Sequence, residues 1–291
     1  MYYIVYPLLY LLSLLPLRVL YLFSNFARFI LYDVRGYRKQ TVFDNLRIAF
    51  PGKTDAEREE IARQFYLNFT DTFIESIKLI SMSTKEFEKR SNGEFDYINE
   101  LLAKGNNVNV MAAHQFNWEF ANLQYAKNLH APFVGIYMVI ANKALGRIFL
   151  KIRARYGTIL ISAPDFKNKK HEVFSSQYAL ALAADQNPGN PDGAIWLNFF
   201  GKPVPFLSGP AKGAVKNNAS VVFVSFHKVK RGRYEFRVRP IAEKGGDYTP
   251  EQLTRMYRDA VEDTIRMDPA NYLWSHRRWK WHWTPEYPMA E

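Results

Sequence analysis

Apolar runs of strand length alternate with amphipathic stretches along most of this 291-residue chain. Strands are predicted at Val108–Met111, Phe133–Val139, Thr158–Ser162 and Tyr178–Asp185. Helical spacing between and beyond them predicts helices at Trp118–Leu129, Asn142–Arg155, Asn168–Gln177 and Leu253–Met267. Ser220–His227 and Tyr234–Pro240 alternate strongly, which predicts a hairpin across Lys228–Arg233 at the far edge of the sheet. We therefore expect an α/β fold: a single domain with a twisted mixed β-sheet flanked by helices.

A long amphipathic helix is predicted to begin at Thr54, which precedes several acidic residues and a broad apolar stripe from Ile61 to Leu79. Glu75 lies within that stripe. Its position favours a partly exposed acid at the edge of the helix over a residue of a functional site.

The N-terminal stretch is apolar and has its positive charges on its C-terminal side. Residues 1–17 carry no charge, and only Arg18 and Arg28 interrupt the apolar character as far as Tyr32. A signal peptide would have basic residues first and a cleavage site of small residues, and this segment has neither. Its length just reaches the roughly 20 residues of a membrane-spanning helix, and the positive-inside rule would place the body of the protein in the cytoplasm. A helix lying in the membrane interface, broken at prolines, and a buried core helix are the alternatives.

Composition limits the chemistry without choosing a partner. The chain has no cysteine, which excludes disulfides and thiolate-bound metals. Lys and Arg number 39 against 28 Asp and Glu, a net charge of +11, and aromatic residues make up 16% of the chain. Such a protein suits nucleic acid, an anionic membrane or an acidic partner protein.

The stretch VNVMAAHQFNWEF at positions 108–120 places candidate catalytic residues on a strand–turn–helix unit. His114 follows the strand, Asn117 is a candidate helix cap, and Glu119 falls in the first turn of the next helix. The carboxyl edge of a parallel sheet is where ligands bind in open α/β folds. A carboxylate near an imidazole fixes its tautomer and stabilises its charged form, so His114 could take a proton from a hydroxyl group. A histidine that merely caps a strand is the structural alternative.

Two further turns carry candidate site residues. Asp185 and Gln186 leave an apolar strand, and they share the edge of His114 if the strands are parallel, although Asp, Asn, Pro and Gly would form a turn there in any case. Ser208 and Gly209 begin a predicted helix that runs to Asn217, and a helix N-terminus offers free N–H groups to an oxyanion or a phosphate.

Five segments give the chain a resemblance to a known family. HQFNWE at 114–119 is similar to the motif of the glycerolipid acyltransferases, a histidine followed after four residues by Asp or Glu. NLRIAFP at 45–51, AADQNPG at 183–189, FFGKPV at 199–204 and YLWSHRRW at 272–279 resemble, in order, segments of the lipid A late acyltransferases. These are the lauroyl and myristoyl transferases, and the resemblance extends from about Arg38 to Trp279.

The resemblance implies a membrane-bound acyltransferase that moves a fatty acyl chain from a carrier thioester to a hydroxyl group of a lipid A precursor. His114 would be the base, and Glu119 would orient and charge it. The family places an arginine in a segment like IRARYGTILI, which fits Arg153 and Arg155, and Arg155 is preferred because it lies nearer the turn at Gly157. The family pattern also implies substrate-binding roles for Asn117, Asp185 with Gln186, Ser208 with Gly209, and Arg277. No metal or cofactor is expected, and with neither a cysteine nor a Gly-x-Ser-x-Gly turn no acyl-enzyme is required.

The expected partners follow from the same resemblance. The donor would be an acyl carrier protein or acyl-CoA, the acceptor a lipid at a membrane surface, and nucleic acid is not expected. We predict a membrane anchor in residues 1–34 and the acyltransferase domain in residues 35–291, on the cytoplasmic side of the inner membrane. A lysophospholipid, phosphoinositol-mannoside or aminolipid acceptor is an alternative. A non-catalytic basic protein that binds membranes or nucleic acid is an alternative of another class.

Overall fold

The structure is a computed structural model that describes residues 1–290, apart from the side chains of Lys170 and Val173. Its strands are β1 Ser91–Gly93, β2 Val108–Ala112, β3 Phe133–Tyr137, β4 Ile159–Ser162, β5 Ala179–Ala183, β6 Ile195–Phe199, β7 Lys202–Phe206, β8 Ser220–Lys230 and β9 Arg233–Ala242. Its α-helices are α1 Tyr2–Leu14, α2 Leu17–Arg28, α3 Lys39–Ala49, α4 Asp55–Lys78, α5 Thr84–Arg90, α6 Asp96–Ala103, α7 Trp118–Asn128, α8 Lys143–Arg153, α9 Phe166–Phe174, α10 Gly209–Lys216 and α11 Pro250–Met267.

A seven-stranded mixed sheet with the order β1-β9-β8-β2-β5-β3-β4 forms the centre of the protein. Strands β8, β2, β5, β3 and β4 run parallel, β9 is antiparallel to β8, and β1 is parallel to β9. The carboxyl ends of β2, β5 and β3 therefore lie side by side at one edge. Helices flank the sheet, so the predicted α/β architecture in a single domain is confirmed. The predicted hairpin also forms, with β1 beyond it, and β6 and β7 make a separate antiparallel pair.

Both faces of the sheet are buried, which explains the unbroken apolar runs of its central strands. Along β8, Val222, Val224 and Phe226 pack into one hydrophobic cluster. Val221 and Phe223, which alternate with them, pack into another cluster on the opposite face. The period of two along the strand thus divides the core into two layers.

Local capping fixes where the long helices begin. The hydroxyl of Thr54 accepts a hydrogen bond from the Glu57 N–H, and the Glu57 carboxylate accepts one from the Thr54 N–H at 2.7 Å. This capping box satisfies N–H groups that the first turn of α4 leaves free. Thr249 and Gln252 form the same arrangement at α11.

The N-terminal apolar stretch forms two helices at 117° to each other instead of one long helix. Pro16 requires an extended conformation at the preceding residue, and Leu15 has ψ 146°. Among the described residues no single helix is long and apolar enough to cross a membrane, although the bent pair passes that test together. The prediction of one membrane-spanning helix is therefore not supported.

The two N-terminal helices are attached to the domain through polar contacts on their inner side. The Lys78 ammonium donates to the Ser13 carbonyl at 3.0 Å, and the Ser24 hydroxyl donates to the buried Asp71 carboxylate at 2.6 Å. Their outer side is apolar and exposed at Tyr3, Ile4, Leu8, Leu11, Leu14, Leu22, Phe23 and Phe26.

Candidate active site

Two neighbouring parallel strands place a histidine and an aspartate side by side. Ala112 at the end of β2 is opposite Ala183 at the end of β5. His114 and Asp185 each follow two residues later, so they leave the sheet in register. The Tyr257 hydroxyl fastens the two strand ends, because it donates to the Ala112 carbonyl at 2.8 Å and accepts from the Ala184 N–H at 3.0 Å.

The His114 ring and the Asp185 carboxylate form a direct pair. Nδ1 of His114 lies 2.8 Å from Oδ1 of Asp185, and the His114 backbone N–H donates to Oδ2 at 3.1 Å. Asp185 is completely buried, whereas 32% of the His114 side chain is exposed. An ionised carboxylate accepts the Nδ1 proton, which leaves the lone pair of the imidazole on Nε2. Nε2 makes no hydrogen bond within residues 1–290, so it is available to a ligand.

Each member of the pair shifts the pKa of the other in favour of the charged form. Burial lowers the pKa of His114, but the adjacent Asp185 carboxylate outweighs burial and brings that pKa above its ordinary value. Burial raises the pKa of Asp185, while the His114 ring and its hydrogen bonds bring the net value below the usual range. The pair thus keeps a carboxylate beside an imidazole that gains basicity from it.

The sequence led us to expect that Glu119 would be the partner of His114, and it is not. Its buried carboxylate binds Arg153 instead, with Nε at 3.0 Å from Oε2 and Nη2 at 2.6 Å from Oε1. Asp185 reaches His114 from the adjacent strand, whereas Glu119 already lies within α7, beside the end of α8. Burial lowers the pKa of Arg153, but the Glu119 carboxylate outweighs this and raises it.

The preference for Arg155 as the functional arginine stays a prediction, but Arg153 is the one that contacts the motif, at Glu119. Within residues 1–290 Arg155 makes no hydrogen bond to Glu119, and its Nη1 donates to the Leu79 carbonyl at 3.3 Å. Arg153 instead lines a cavity of about 240 Å³ whose walls include Tyr137, Phe149 and Leu150. Because Tyr137 ends β3, this cavity opens at the same edge of the sheet as the His114–Asp185 pair.

Asn117 is buried and is not available to a substrate. Its amide donates to Glu75 at 3.0 Å, and its oxygen accepts from the Glu119 N–H at 3.2 Å, which confirms the predicted helix cap. Glu75 is completely buried, so the prediction of a partly exposed acid was wrong. The sequence signal for Glu75 is an acidic residue within an apolar stripe, but this signal does not reveal which residues Glu75 contacts.

The other predicted turn residues make fewer contacts. Gln186 is half-buried directly after Asp185. Ser208 stands at the start of α10, but its hydroxyl donates to the Gly193 carbonyl at 2.8 Å and does not cap the helix. Gly209 is the exposed first residue of α10. Within residues 1–290 no hydrogen bond joins the side chains of Gln186 or Ser208 to the histidine–aspartate pair.

The arginine that enters the protein from the C-terminal segment is Arg278, and the predicted Arg277 is exposed. Nη1 of Arg278 donates to the Asn187 side chain and to the Pro205 carbonyl, both at 3.0 Å. The guanidinium carbon lies 4.3 Å from the centre of the Phe206 ring. Burial lowers the pKa of Arg278, and the nearby Asp185 carboxylate opposes that effect. Two adjacent arginines offered no sequence signal to separate them.

The C-terminal segment also joins other segments of the family resemblance to the site. The Asn45 side chain donates to the carbonyls of Trp274 and His276, both at 2.7 Å. The Leu273 N–H donates to the His114 carbonyl at 3.0 Å. His276 accepts from the Asn187 N–H at 3.0 Å, and burial lowers its pKa to about 4, so this ring is a neutral acceptor. Four of the five segments noted in the sequence therefore meet directly around the histidine–aspartate pair.

The chain is similar to a known bacterial family and to a named relative. A family model described as "Bacterial lipid A biosynthesis acyltransferase" matches residues 1–281. A relative from Mycobacterium tuberculosis (strain ATCC 25618 / H37Rv), named phosphatidylinositol mannoside acyltransferase, is 23% identical over 192 residues. That alignment covers 64% of this chain and 59% of the relative, so the chain spans less than two thirds of the length of that protein.

Proposed function

The chain belongs to the bacterial lipid A biosynthesis acyltransferase family, and from this premise we propose that it transfers a fatty acyl chain from a carrier thioester to a hydroxyl group of a lipid A precursor. The observation that carries the proposal is the His114–Asp185 pair, at 2.8 Å, with the far nitrogen of the ring unengaged at the carboxyl edge of the sheet. A buried carboxylate behind a partly exposed imidazole is the arrangement of a general base.

The proposed reaction needs one proton transfer in each direction. Nε2 of His114 removes the proton from the acceptor hydroxyl as its oxygen attacks the thioester carbonyl carbon. The tetrahedral intermediate collapses, the carbon–sulfur bond breaks, and the departing thiolate takes the proton from the imidazolium. Asp185 stabilises the imidazolium while it exists and holds the ring in the tautomer that accepts at Nε2. The products are an ester and a free carrier thiol.

Arg153 is the cation proposed to act on the negative charge of the reactants. Glu119 engages its Nε and Nη2, which leaves Nη1 without a hydrogen-bond partner within residues 1–290. Held in this way, the guanidinium forms part of the cavity wall at the same sheet edge as His114. A fixed cation in a partly dry site stabilises developing charge more strongly than a mobile one in water. We therefore assign Glu119 to holding Arg153, and not to orienting His114.

The donor is proposed to be an acyl carrier protein or acyl-CoA, and the site of action the inner membrane from its cytoplasmic side. The net charge of +11 suits an acidic carrier or an anionic lipid surface. The apolar outer side of α1 and α2 suits insertion into the lipid interface in the plane of the membrane. Arg147 and Lys151 of α8 lie over the rings of Tyr2 and Tyr6, and these contacts hold α1 against α8.

A second acceptor class has a specific observation behind it. The relative from Mycobacterium tuberculosis is named for phosphatidylinositol mannoside, an acceptor whose hydroxyl groups lie on a sugar–lipid headgroup. The base chemistry is the same for either acceptor, because only a hydroxyl group near Nε2 is required.

The test is product formation by purified protein in lipid vesicles. Acyl carrier protein and CoA thioesters are each paired with a lipid A precursor or a phosphatidylinositol mannoside, and mass spectrometry identifies which lipid gains which chain. His114→Ala should abolish transfer, and His130→Ala, at an exposed histidine, is the matched control. Absence of product from all four pairs would refute the proposal. Tight salt-sensitive binding to RNA without turnover would instead support the non-catalytic alternative.

A further inference from the structure

The buried carboxylate of Glu75 lies next to the turn at residues 114–117, here called the motif turn, and accepts hydrogen bonds from three separate parts of the chain. Oε1 of Glu75 accepts from the Tyr21 hydroxyl at 2.8 Å. Oε2 accepts from the Tyr234 hydroxyl at 2.6 Å and from the Asn117 amide at 3.0 Å. The three donors belong to α2, β9 and the turn that follows His114. Glu75 itself is completely buried on α4.

The hydrogen bond from Asn117 links this carboxylate to the reacting groups. An asparagine amide that donates through its nitrogen to Glu75 must present its oxygen to the other side. There the oxygen accepts from the Glu119 N–H at 3.2 Å and so caps α7. Glu119 in turn holds Arg153 at 2.6 Å. The orientation of one amide therefore fixes the start of α7 and the side chain that follows it.

Helix α2 is fixed at the point where it reaches Glu75. Arg231 binds both oxygens of the buried Asp71, at 2.6 and 2.9 Å, and its guanidinium lies 4.0 Å from the centre of the Tyr21 ring. Ser24, one turn after Tyr21, donates to the same Asp71 at 2.6 Å. These contacts confine the Tyr21 ring, so its hydroxyl reaches Glu75 in one orientation.

We propose that Glu75, Tyr21 and Tyr234 are positioning residues for the motif turn, and that α2 is consequently part of the functional unit and not only a membrane-facing segment. The effect on rate rests on the proposed acyl transfer, whereas the effect on the turn itself does not. None of the three side chains contacts the reactants. Each acts through Asn117, which sets the geometry between His114 and Glu119.

The first test removes a single hydroxyl group. Tyr21→Phe keeps the ring under Arg231 but deprives Glu75 of one donor. Because a misplacement of about 1 Å can cost about 10²-fold in rate, we expect kcat to fall by about 10- to 100-fold with the KM for donor and acceptor unchanged. Tyr32→Phe is the matched control, since that buried tyrosine reaches Glu59 near the surface at 3.3 Å, away from the turn. Its kcat should remain at the wild-type value.

A readout independent of turnover follows the same variants. Hydrogen exchange of the segment 114–121 should be faster in Tyr21→Phe than in wild type and unchanged in Tyr32→Phe. This measurement separates the two proposals: inactive wild-type protein refutes the acyl transfer, while unchanged exchange in Tyr21→Phe refutes the positioning role. Active Tyr21→Phe protein with wild-type kcat would refute it as well.

An exchange of functional groups tests the Glu75–Asn117 bond directly. Glu75→Gln and Asn117→Asp should each lower kcat and speed exchange at 114–121. The double variant E75Q/N117D places the amide on α4 and the carboxylate in the turn, so a donor again faces an acceptor and the cap oxygen is kept. We expect its kcat to be at least about tenfold higher than that of the less active of the two single variants. Strictly additive losses in the double variant would overturn the proposal.

Discussion

Replacing Asp185 by asparagine removes the charge beside His114 while keeping the shape of the side chain. The carboxylate accepts two hydrogen bonds from His114, one from Nδ1 at 2.8 Å and one from the backbone N–H at 3.1 Å. An asparagine can keep the backbone bond through its oxygen, and it then offers an NH₂ group to Nδ1. The ring would respond by accepting at Nδ1 and carrying its proton on Nε2, where the proposed mechanism needs a lone pair.

The expected loss combines the wrong tautomer with an unsupported imidazolium. The same substitution in the serine protease triad lowers kcat by about 10⁴-fold. General base catalysis by one side chain is worth about 10²–10⁴-fold. We therefore expect Asp185→Asn to lower kcat by about 10³-fold, within this range, with little change in KM because the residue is buried and does not touch substrate.

The pH profile should move in a defined direction. The base must be neutral, so kcat/KM rises with pH through the pKa of His114, which Asp185 holds above its ordinary value. Removing the carboxylate lowers that pKa, so the acidic limb of the Asp185→Asn profile should shift to lower pH. A purely structural defect would lower the whole profile without displacing its limb.

The assay is the appearance of free carrier thiol with a thiol-reactive dye. The chain contains no cysteine, so the enzyme contributes no background. Asp165→Asn is the control, because Asp165 also follows a parallel strand but binds Ser162 at 2.6 Å, away from the pair. Wild-type kcat and an unshifted profile in Asp185→Asn would refute the assignment of the base and its partner.

Three further variants test other parts of the structure. Arg153→Lys should lower kcat by at least about tenfold, because lysine cannot reproduce the forked contact with Glu119. The kcat of Arg155→Lys should stay within about twofold of the wild-type value, and equal losses of kcat in the two variants would contradict this. Arg278→Ala should cost about 2–4 kcal/mol in urea unfolding, since it removes buried hydrogen bonds and aromatic packing, against less than about 0.5 kcal/mol for the exposed Arg277→Ala. Deleting residues 1–31 should abolish flotation with anionic vesicles and also lower the midpoint of thermal unfolding, and a full-length protein that does not float would oppose the membrane role.

The sheet and the location of the site could be predicted from sequence because they depend on local periodicity. Apolar runs of four to eight residues marked the parallel strands, and a chain that leaves such strands must do so at a common edge. His114 and Asp185 were both placed at that edge on these grounds. Their pairing was missed because it depends on the order of strands in the sheet: β5 lies next to β2 although β3 and β4 come between them in the chain.

The long-range partners of side chains could not be predicted from the sequence, because they also depend on how the elements are arranged in space. Glu119 was assigned to His114 because the two are five positions apart, yet its partner Arg153 lies 34 positions away. The choice between Arg153 and Arg155, and between Arg277 and Arg278, depends on which side of a short segment faces the interior. Two residues of identical type give no hydropathy difference from which that could be read.

The contacts of Asn45 have a consequence for the order of events during synthesis. Its side chain bonds to the carbonyls of residues 229 and 231 positions further along the chain. A ribosome releases the N-terminal helices first, so α1 and α2 emerge more than 200 residues before the segment that closes around His114. A growing chain therefore carries its apolar helices for most of its translation while the enzyme is still incomplete. Such distant pairings raise the contact order of the fold, and we expect them to slow refolding of the full chain.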